Sequence, residues 1–365
     1  MRHSAPRIVV VMPRNMHFGP ARATSIDLCA HDFVRASRFA ATTTVVAEAV
    51  ERPFEGVHLV THAPGDRRGR DALIRAARPD LVVVHQHLPS AAHIARLLPG
   101  TPVLAHRHNM VKPPSGPIAR LHHAWRMRNL AGLIFVSDFC KAAFERDWGH
   151  LRLPRHTVHN ALAMDDWQPL PPEARQKVIA YTGRVDPLKG VVELAEALAT
   201  LLPGAPDWRA HLMLTARAAQ QATAARVEAL LHPVRAQVTI DYDRTLAEVR
   251  SLLCGAAVAA VPTISDEPFG RAALEAMAGG AALVASARGG LPEVFGDTAI
   301  ALPGPSRDSI VDALGRLMAD DALRHRLAQA GRARAVAEFD LGRIAARLDA
   351  VYQTTLARAA TPGRP

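Results

Sequence analysis

Short β-branched runs alternate with helical stretches along nearly the whole chain, and no feature of the sequence restricts its fold more. The strand candidates in the first half are RIVVVMP, TTTVVAEAV, DLVVVHQ, TPVLAHRHN, GLIFVS and RHTVHN. Those in the second half are KVIAYTG, RAHLMLTA, QVTIDY, AAVAAVPT and AALVAS. Between them run helical patterns such as DALIRAARP, SAAHIARLLP, VVELAEALATLL, ATAARVEALLH and LAEVRSLLCG. Alternation of this kind predicts βαβ units and parallel sheets. The stretch DDWQPLPPEARQ, residues 165–176, interrupts it with three prolines and no periodicity, so it reads as a linker. Two α/β domains of similar size are therefore expected, facing each other across a cleft lined by the C-terminal ends of their strands.

Composition narrows the partners. At 365 residues the chain is long for one core and comfortable for two. Its formal charge of +10 favours anionic partners such as nucleotides or phospholipid surfaces. Nucleic acid is not expected, because no recognised binding motif accompanies the charge. Cys29, Cys140 and Cys254 lie far apart with no C-x-x-C, which fits a reducing cytoplasm rather than a disulfide framework. The apolar run in MRHSAPRIVVVMP is too short for a signal-peptide core and reads as a first strand. No segment approaches the roughly 18 apolar residues of a membrane span. The expected protein is soluble and cytoplasmic. Residues 118–132 mix Arg120, Arg126 and Arg128 with Trp125 and aliphatic residues. That mixture suits contact with an anionic leaflet on the cytoplasmic membrane face, and equally an ordinary helix packed on a sheet.

Three turns carry the chemistry. TGRVDPLKG, residues 182–190, links a strand to a helix, so Arg184 and Lys189 project beside a helix N-terminus. Such a position gathers positive potential before any cation is added, and a diphosphate suits it. In EPFGRAALEAMAGG, residues 267–280, Pro268 holds Glu267 in an extended backbone ahead of the helix. Gly270 lets the chain pass close to a ligand, and Glu275 follows about a turn and a half into the helix. In SARGGLPEVFGD, Gly289 and Gly290 can present bare N–H groups to an anion, and Pro292 opens another short helix. Jointly the turns point to a nucleoside diphosphate bearing a polyhydroxylated group.

These same segments, in this order and spacing, resemble the donor-side motifs of the retaining family-four glycosyltransferases, EPFGRAALE matching their E-x7-E element. FVSDFCKAAF, VHNALAMDDWQP and the final LGRIAARLDAVYQTTL resemble further segments of that family. The resemblance implies an α/β chain of the GT-B fold, with two Rossmann-like domains. An acceptor domain would span 1–164, the linker 165–176 and a nucleotide-sugar domain 177–338. A closing helix at 339–358 would pack back toward the first domain, ahead of a frayed tail at 359–365. By the same resemblance, Arg184 and Lys189 hold the donor diphosphate, Glu275 the ribose and Glu267 the transferred sugar. Phe269, Gly270, Arg271, Gly289 and Gly290 would contact the donor, largely through backbone amides. His108, with His106 as second choice, would reach the donor sugar. Gly19 in HFGPARATS would contribute from the first domain, although Pro20 has no N–H to offer. The implied activity is sugar transfer from a nucleotide diphosphate donor to a glycan or lipid-linked acceptor, in cell-surface polysaccharide or lipopolysaccharide synthesis. It requires no cofactor and no metal.

Departures from the family pattern matter. Ala161 stands where glycine is usual, and LMLTARAAQQ lacks the glycines that normally follow its strand, so the nucleobase is not legible. Arg271 replaces an apolar residue and suits either an anionic ligand or plain solvation. Two other readings compete. One is a nucleotide-sugar binding or isomerising protein of the same fold. The other is a metal-dependent hydrolase built on the pairs His85/His87 and His106/His108, whose imidazoles suit zinc.

Overall fold

The computed structural model describes residues 5–216 and 218–361, apart from the side chains of Arg22 and Ala218. The chain divides into two compact units, residues 1–161 with 341–365, and residues 162–340.

In the first unit the elements are β1 (Ile8–Val11), α1 (Ser25–Ala36), β2 (Thr43–Glu48), β3 (His58–His62), α2 (Arg67–Ala76) and β4 (Leu81–His85). They continue with α3 (Leu88–Leu97), β5 (Val103–Arg107), α4 (Pro117–Met127), β6 (Gly132–Phe135), α5 (Asp138–Trp148) and β7 (Arg155–Thr157). The second unit runs β8 (Gln176–Arg184), α6 (Val191–Leu201), β9 (Arg209–Thr215), α7 (Gln221–Leu231), β10 (Val238–Tyr242) and α8 (Leu246–Gly255). It continues with β11 (Ala256–Val261), α9 (Arg271–Ala278), β12 (Ala282–Ser286), α10 (Leu291–Phe295), β13 (Ala299–Leu302), α11 (Arg307–Ala319) and α12 (Asp321–Phe339). The last helix, α13 (Leu341–Ala360), returns to the first unit.

Both sheets are parallel throughout. Their orders are β3-β2-β1-β4-β5-β6-β7 and β10-β9-β8-β11-β12-β13. Each is a doubly wound, Rossmann-type sheet whose order reverses beside its first strand, between β1 and β4 and between β8 and β11. The central strands are covered on both faces, as parallel sheets require, and read as unbroken apolar runs: Ile8–Val11 and Leu81–Val84 are fully buried.

Sequence reading missed two strands, β3 and β13. Each is an edge strand with a single neighbour, and most of its residues are partly exposed. HLVTH and AIAL therefore never needed the continuous apolar character that marks a central strand. The helix LAEVRSLLCG coincides with α8, where Thr245 and Glu248 form a reciprocal N-terminal cap.

The closing helix α13 buries Ile344, Ala345, Leu348 and Tyr352 in the core of the first unit. Asp349, on the same buried face, accepts from the Ser37 hydroxyl at 2.6 Å and from the Arg38 N–H at 2.9 Å. Helix α13 extends through Ala360, and residues 362–365 of the expected tail lie outside the described residues. Residues 165–176 hold to the second unit. Trp167 is buried beneath Arg250, Leu170 N–H donates to Cys254 O, and Arg175 donates to the carbonyls of Ala256 and Gly279.

Candidate active site

The second unit carries the residues expected to meet the donor in the turns after β8, β11 and β12, at the C-terminal edge of the sheet beside its switch point. After β8 the chain makes one tight turn, Pro187–Lys189, capped by Asp186, whose carboxylate accepts from Leu188 N–H at 3.0 Å. Gly190 closes it with φ of +68°. A Cβ there would lie 1.8 Å from the Pro262 carbonyl oxygen, so only glycine lets the two loops touch. The Leu188 carbonyl in turn accepts from the N–H groups of Ile264 and Ser265 and from the Thr263 hydroxyl. The loop after β12 is held the same way. Gly289, at φ +63°, pairs with Glu267 in an isolated parallel bridge, and a Cβ would sit 2.2 Å from the Glu267 carbonyl.

This interlocking brings Lys189 Nζ against Glu267 Oε1 as an ion pair, with side chains 24% and 13% exposed. Glu267 lies in extended backbone before α9, as Pro268 dictates. Arg184, at the end of β8, is exposed and forms no ion pair among the described residues. Helices α6, α9 and α10 begin on Gly190, Gly270 and Gly290, none of which brings a capping side chain. In the same unit α8, α11 and α12 are capped by Thr245, Ser306 and Asp320. The helices that follow β8, β11 and β12 thus leave their positive ends without an oxygen from their own cap residue, a place suited to an anion.

Several expected donor contacts are differently employed. Gly290 does not present a bare N–H: it donates to Glu267 O at 2.7 Å, part of the weld between the two loops. Phe269 is buried and packs edge-on against Phe339, 5.7 Å between ring centroids, so its ring is core. Arg271 is not solvated. Its Nε donates to Glu275 Oε1 at 2.8 Å, and the two side chains are only 10% and 11% exposed. Helix α9 is buried from Ala273 to Ala278, so a carboxylate at position 275 needs a fixed cation, and the residue one turn earlier supplies it.

Tyr181 was not singled out from sequence. Its ring is buried under the β8 turn and its hydroxyl donates to the Arg184 carbonyl at 3.3 Å. Burial, then the nearby Glu267 and Asp186 carboxylates, push its phenol above the ordinary range. The signal was available: a tyrosine three residues before the strand-end arginine, on the inward side of an otherwise aliphatic strand.

Two of the expected site residues, His108 and Gly19, lie in the first unit. Gly19 is buried and its N–H is taken by the His17 carbonyl at 2.7 Å, so its amide has a local partner. His108 belongs to a cluster. Strands β4 and β5 align His85 with His106, and His108 follows as the first residue past the end of β5. The three ring centroids lie 4.7–5.1 Å apart, and His85 Nδ1 lies 2.9 Å from His108 Nε2. His87 is diverted: its Nδ1 accepts from the Ser90 N–H and caps α3. The four-histidine arrangement of the hydrolase reading is therefore not formed. Burial holds the His85 imidazole down to about 4. Burial first, then neighbouring imidazoles, hold His106 and His108 well below the usual histidine range.

Comparisons with known proteins agree with this anatomy. The family model for glycosyl transferases group 1 matches residues 165–334, and that for glycosyltransferase family 4 matches residues 20–165. The alpha-maltose-1-phosphate synthase of Mycolicibacterium smegmatis is 27% identical, over 82% of this chain and 88% of the relative. The lipopolysaccharide 1,2-N-acetylglucosaminetransferase of Salmonella typhimurium is 24% identical, over 74% and 71% respectively. Among solved structures, Anabaena HepE with UDP superposes with a TM-score of 0.78 at 18% identity, covering 95% of this chain and 100% of that one. HepE has also been determined with UDP-glucose. At that identity the likeness is one of fold. The two family models together run from residue 20 to residue 334, across both doubly wound sheets, and the chain belongs to the family-four glycosyltransferases of the GT-B fold.

Proposed function

We propose that this glycosyltransferase moves a sugar, with retention of anomeric configuration, from a nucleoside diphosphate donor to a glycan or glycolipid acceptor. Cell-surface polysaccharide or lipopolysaccharide synthesis is the proposed setting. The observation that carries the donor assignment is the Lys189–Glu267 ion pair at the sheet's switch point, flanked by three glycine-started helices. In this reading the Lys189 ammonium and the Arg184 guanidinium take the diphosphate, with the amides around Gly270 and Gly289 beside it. Glu267 reaches the hydroxyls of the transferred sugar, and Glu275, held by Arg271, the ribose. His108 and Gly19 take part from the first unit, which selects the acceptor.

The chemistry follows from charge. Sugar transfer passes through an oxocarbenium-like centre while negative charge grows on the departing diphosphate. Cations already in place there stabilise the transition state more than the ground state. In a same-face displacement the departing phosphate oxygen takes the acceptor's proton, and the acceptor oxygen bonds to the anomeric carbon on the side the donor leaves. Arg184, Lys189 and the helix N-termini supply positive charge for this step, so no metal is assigned to it.

The acceptor side rests on α4. This helix buries Met127 alone and leaves Ile118 and Leu121 84% and 73% exposed, with Trp125 one turn further on the same stripe. Arg96 and Arg128 lie over the Trp125 ring at 5.4 and 5.2 Å. An apolar stripe edged by arginines complements an anionic membrane surface that carries a lipid-linked acceptor. The protein is expected to float with phosphatidylglycerol vesicles and not with phosphatidylcholine vesicles. Leu121→Glu with Trp125→Glu should abolish flotation, and equal recovery of that variant would remove the membrane from the proposal. No described helix is long and apolar enough to cross a bilayer.

A panel of UDP-, GDP- and ADP-sugars tests the donor assignment. A donor at about 100 times its Kd adds roughly 2.7 kcal/mol of stability, a clear rise in melting temperature. A panel that shifts nothing at millimolar concentration would overturn the assignment.

A further inference from the structure

His85, His106 and His108 are unusual company for one another. Each offers a ring nitrogen within 4.8 Å of those of the other two, and all three side chains are buried. His106 is 0% exposed, and neither of its ring nitrogens has a hydrogen-bond partner among the described residues. A buried imidazole in that state carries an uncompensated desolvation cost unless a further group meets it. His85 and His106 are carried on adjacent paired strands, and His108 is the first residue past β5, its backbone N–H donating to Gln86 Oε1 at 3.0 Å. Arg107 alternates to the opposite face of β5.

We propose that His85, His106 and His108 form a three-imidazole site for a divalent transition-metal ion of the zinc class. Neutral imidazoles are the ligands such an ion prefers, and three of them with a solvent oxygen complete a tetrahedron. Zn–N bonds of about 2.0–2.1 Å place ligand nitrogens roughly 3.4 Å apart, and the rings, which lie stacked or tilted against one another, must turn for their in-plane lone pairs to converge on the ion. His85 Nδ1 and His108 Nε2, at 2.9 Å, are already inside that separation. The site differs from the four-histidine arrangement of the hydrolase reading, because His87 is engaged in capping α3. Its consequence is inhibitory. On the reading that His108 takes part in transfer, metal occupancy withdraws its imidazole from the reaction, so zinc stops turnover and a chelator restores it.

Metal binding is measured separately from activity. Titration of the full-length protein with Co(II) should give a one-to-one complex with the visible absorption of tetrahedral cobalt, displaced by Zn(II). His106→Asn should weaken Zn(II) binding at least 100-fold, since loss of an outer-shell partner alone costs about 10–100-fold. His87→Asn, which alters a neighbouring histidine outside the cluster, should bind as the wild type does. Absence of a tetrahedral cobalt spectrum from the wild-type protein overturns the site whatever the variants do, as does unchanged affinity in a folded His106→Asn. Tight binding without inhibition would leave the site standing and overturn the role of His108 instead.

Discussion

Lys189→Ala is expected to lower turnover by roughly 10²–10³, the scale for removing one preorganised charge stabiliser from a transition state. Lys189 does not reach its position by chance of rotamer. The Asp186-capped turn and Gly190 fix its backbone, and Glu267 holds its ammonium. A cation held in this way needs no reorganisation as charge develops on the diphosphate. The same geometry admits a simpler role, in which Lys189 only neutralises Glu267. Glu267→Gln separates the two. If neutralisation were the whole function, adding Lys189→Ala to Glu267→Gln would cost no further turnover. Stabilisation of the leaving group leaves the double variant far slower than Glu267→Gln alone. Near-normal turnover in Lys189→Ala, or a double variant as fast as Glu267→Gln, would refute the assignment.

Gly190→Ala should be among the most damaging substitutions outside the reacting groups. Alanine at φ +68° costs on the order of 1–3 kcal/mol in backbone strain alone. The new Cβ would meet backbone, the Pro262 carbonyl at 1.8 Å, which has no flexible end to move aside. Separating the loops after β8 and β11 also separates Lys189 from Glu267. A loss of about 3 kcal/mol corresponds to a melting shift of roughly 6–12 °C for a unit of this size. Gly204, whose Cβ would meet nothing within 4 Å, provides the control and should tolerate alanine within a degree or two. Melting of Gly190→Ala within two degrees of wild type, with turnover intact, would show that the loops do not depend on this contact.

How the sequence foreshadowed these sites differs from residue to residue. The alternation of strands and helices announced both sheets because parallel sheets bury both faces and force apolar runs. Edge strands β3 and β13 escape that demand and were missed for that reason. The placement of Lys189 on the turn after β8 and of Glu267 in extended chain before α9 was legible from the strand-to-helix alternation and from Pro268, whereas their pairing with each other was not. The glycines were harder. A glycine that lets a ligand approach and one that lets another loop approach look identical in sequence. Gly190, Gly289 and Gly290 contact backbone of neighbouring loops, so much of what looked like ligand geometry is the weld that positions Lys189. Arg271 was opaque because its partner lies one helical turn away on a face whose burial depends on the packing of α9. Of the four paired histidines, strand register brings His85 beside His106, His108 joins them from just past the end of β5, and a helix cap claims His87.

The most direct test of retaining transfer from a nucleotide sugar is the anomeric configuration of the product. Proton NMR of the reaction with the donor that raises the melting temperature most, and a lipid-linked or glycan acceptor, reads it from the coupling of the new anomeric proton. The expected result is an α-linked product from an α-linked donor, with release of the nucleoside diphosphate. A β-linked product would contradict the proposed same-face displacement, and tight donor binding with neither transfer nor hydrolysis would contradict the proposed transfer itself.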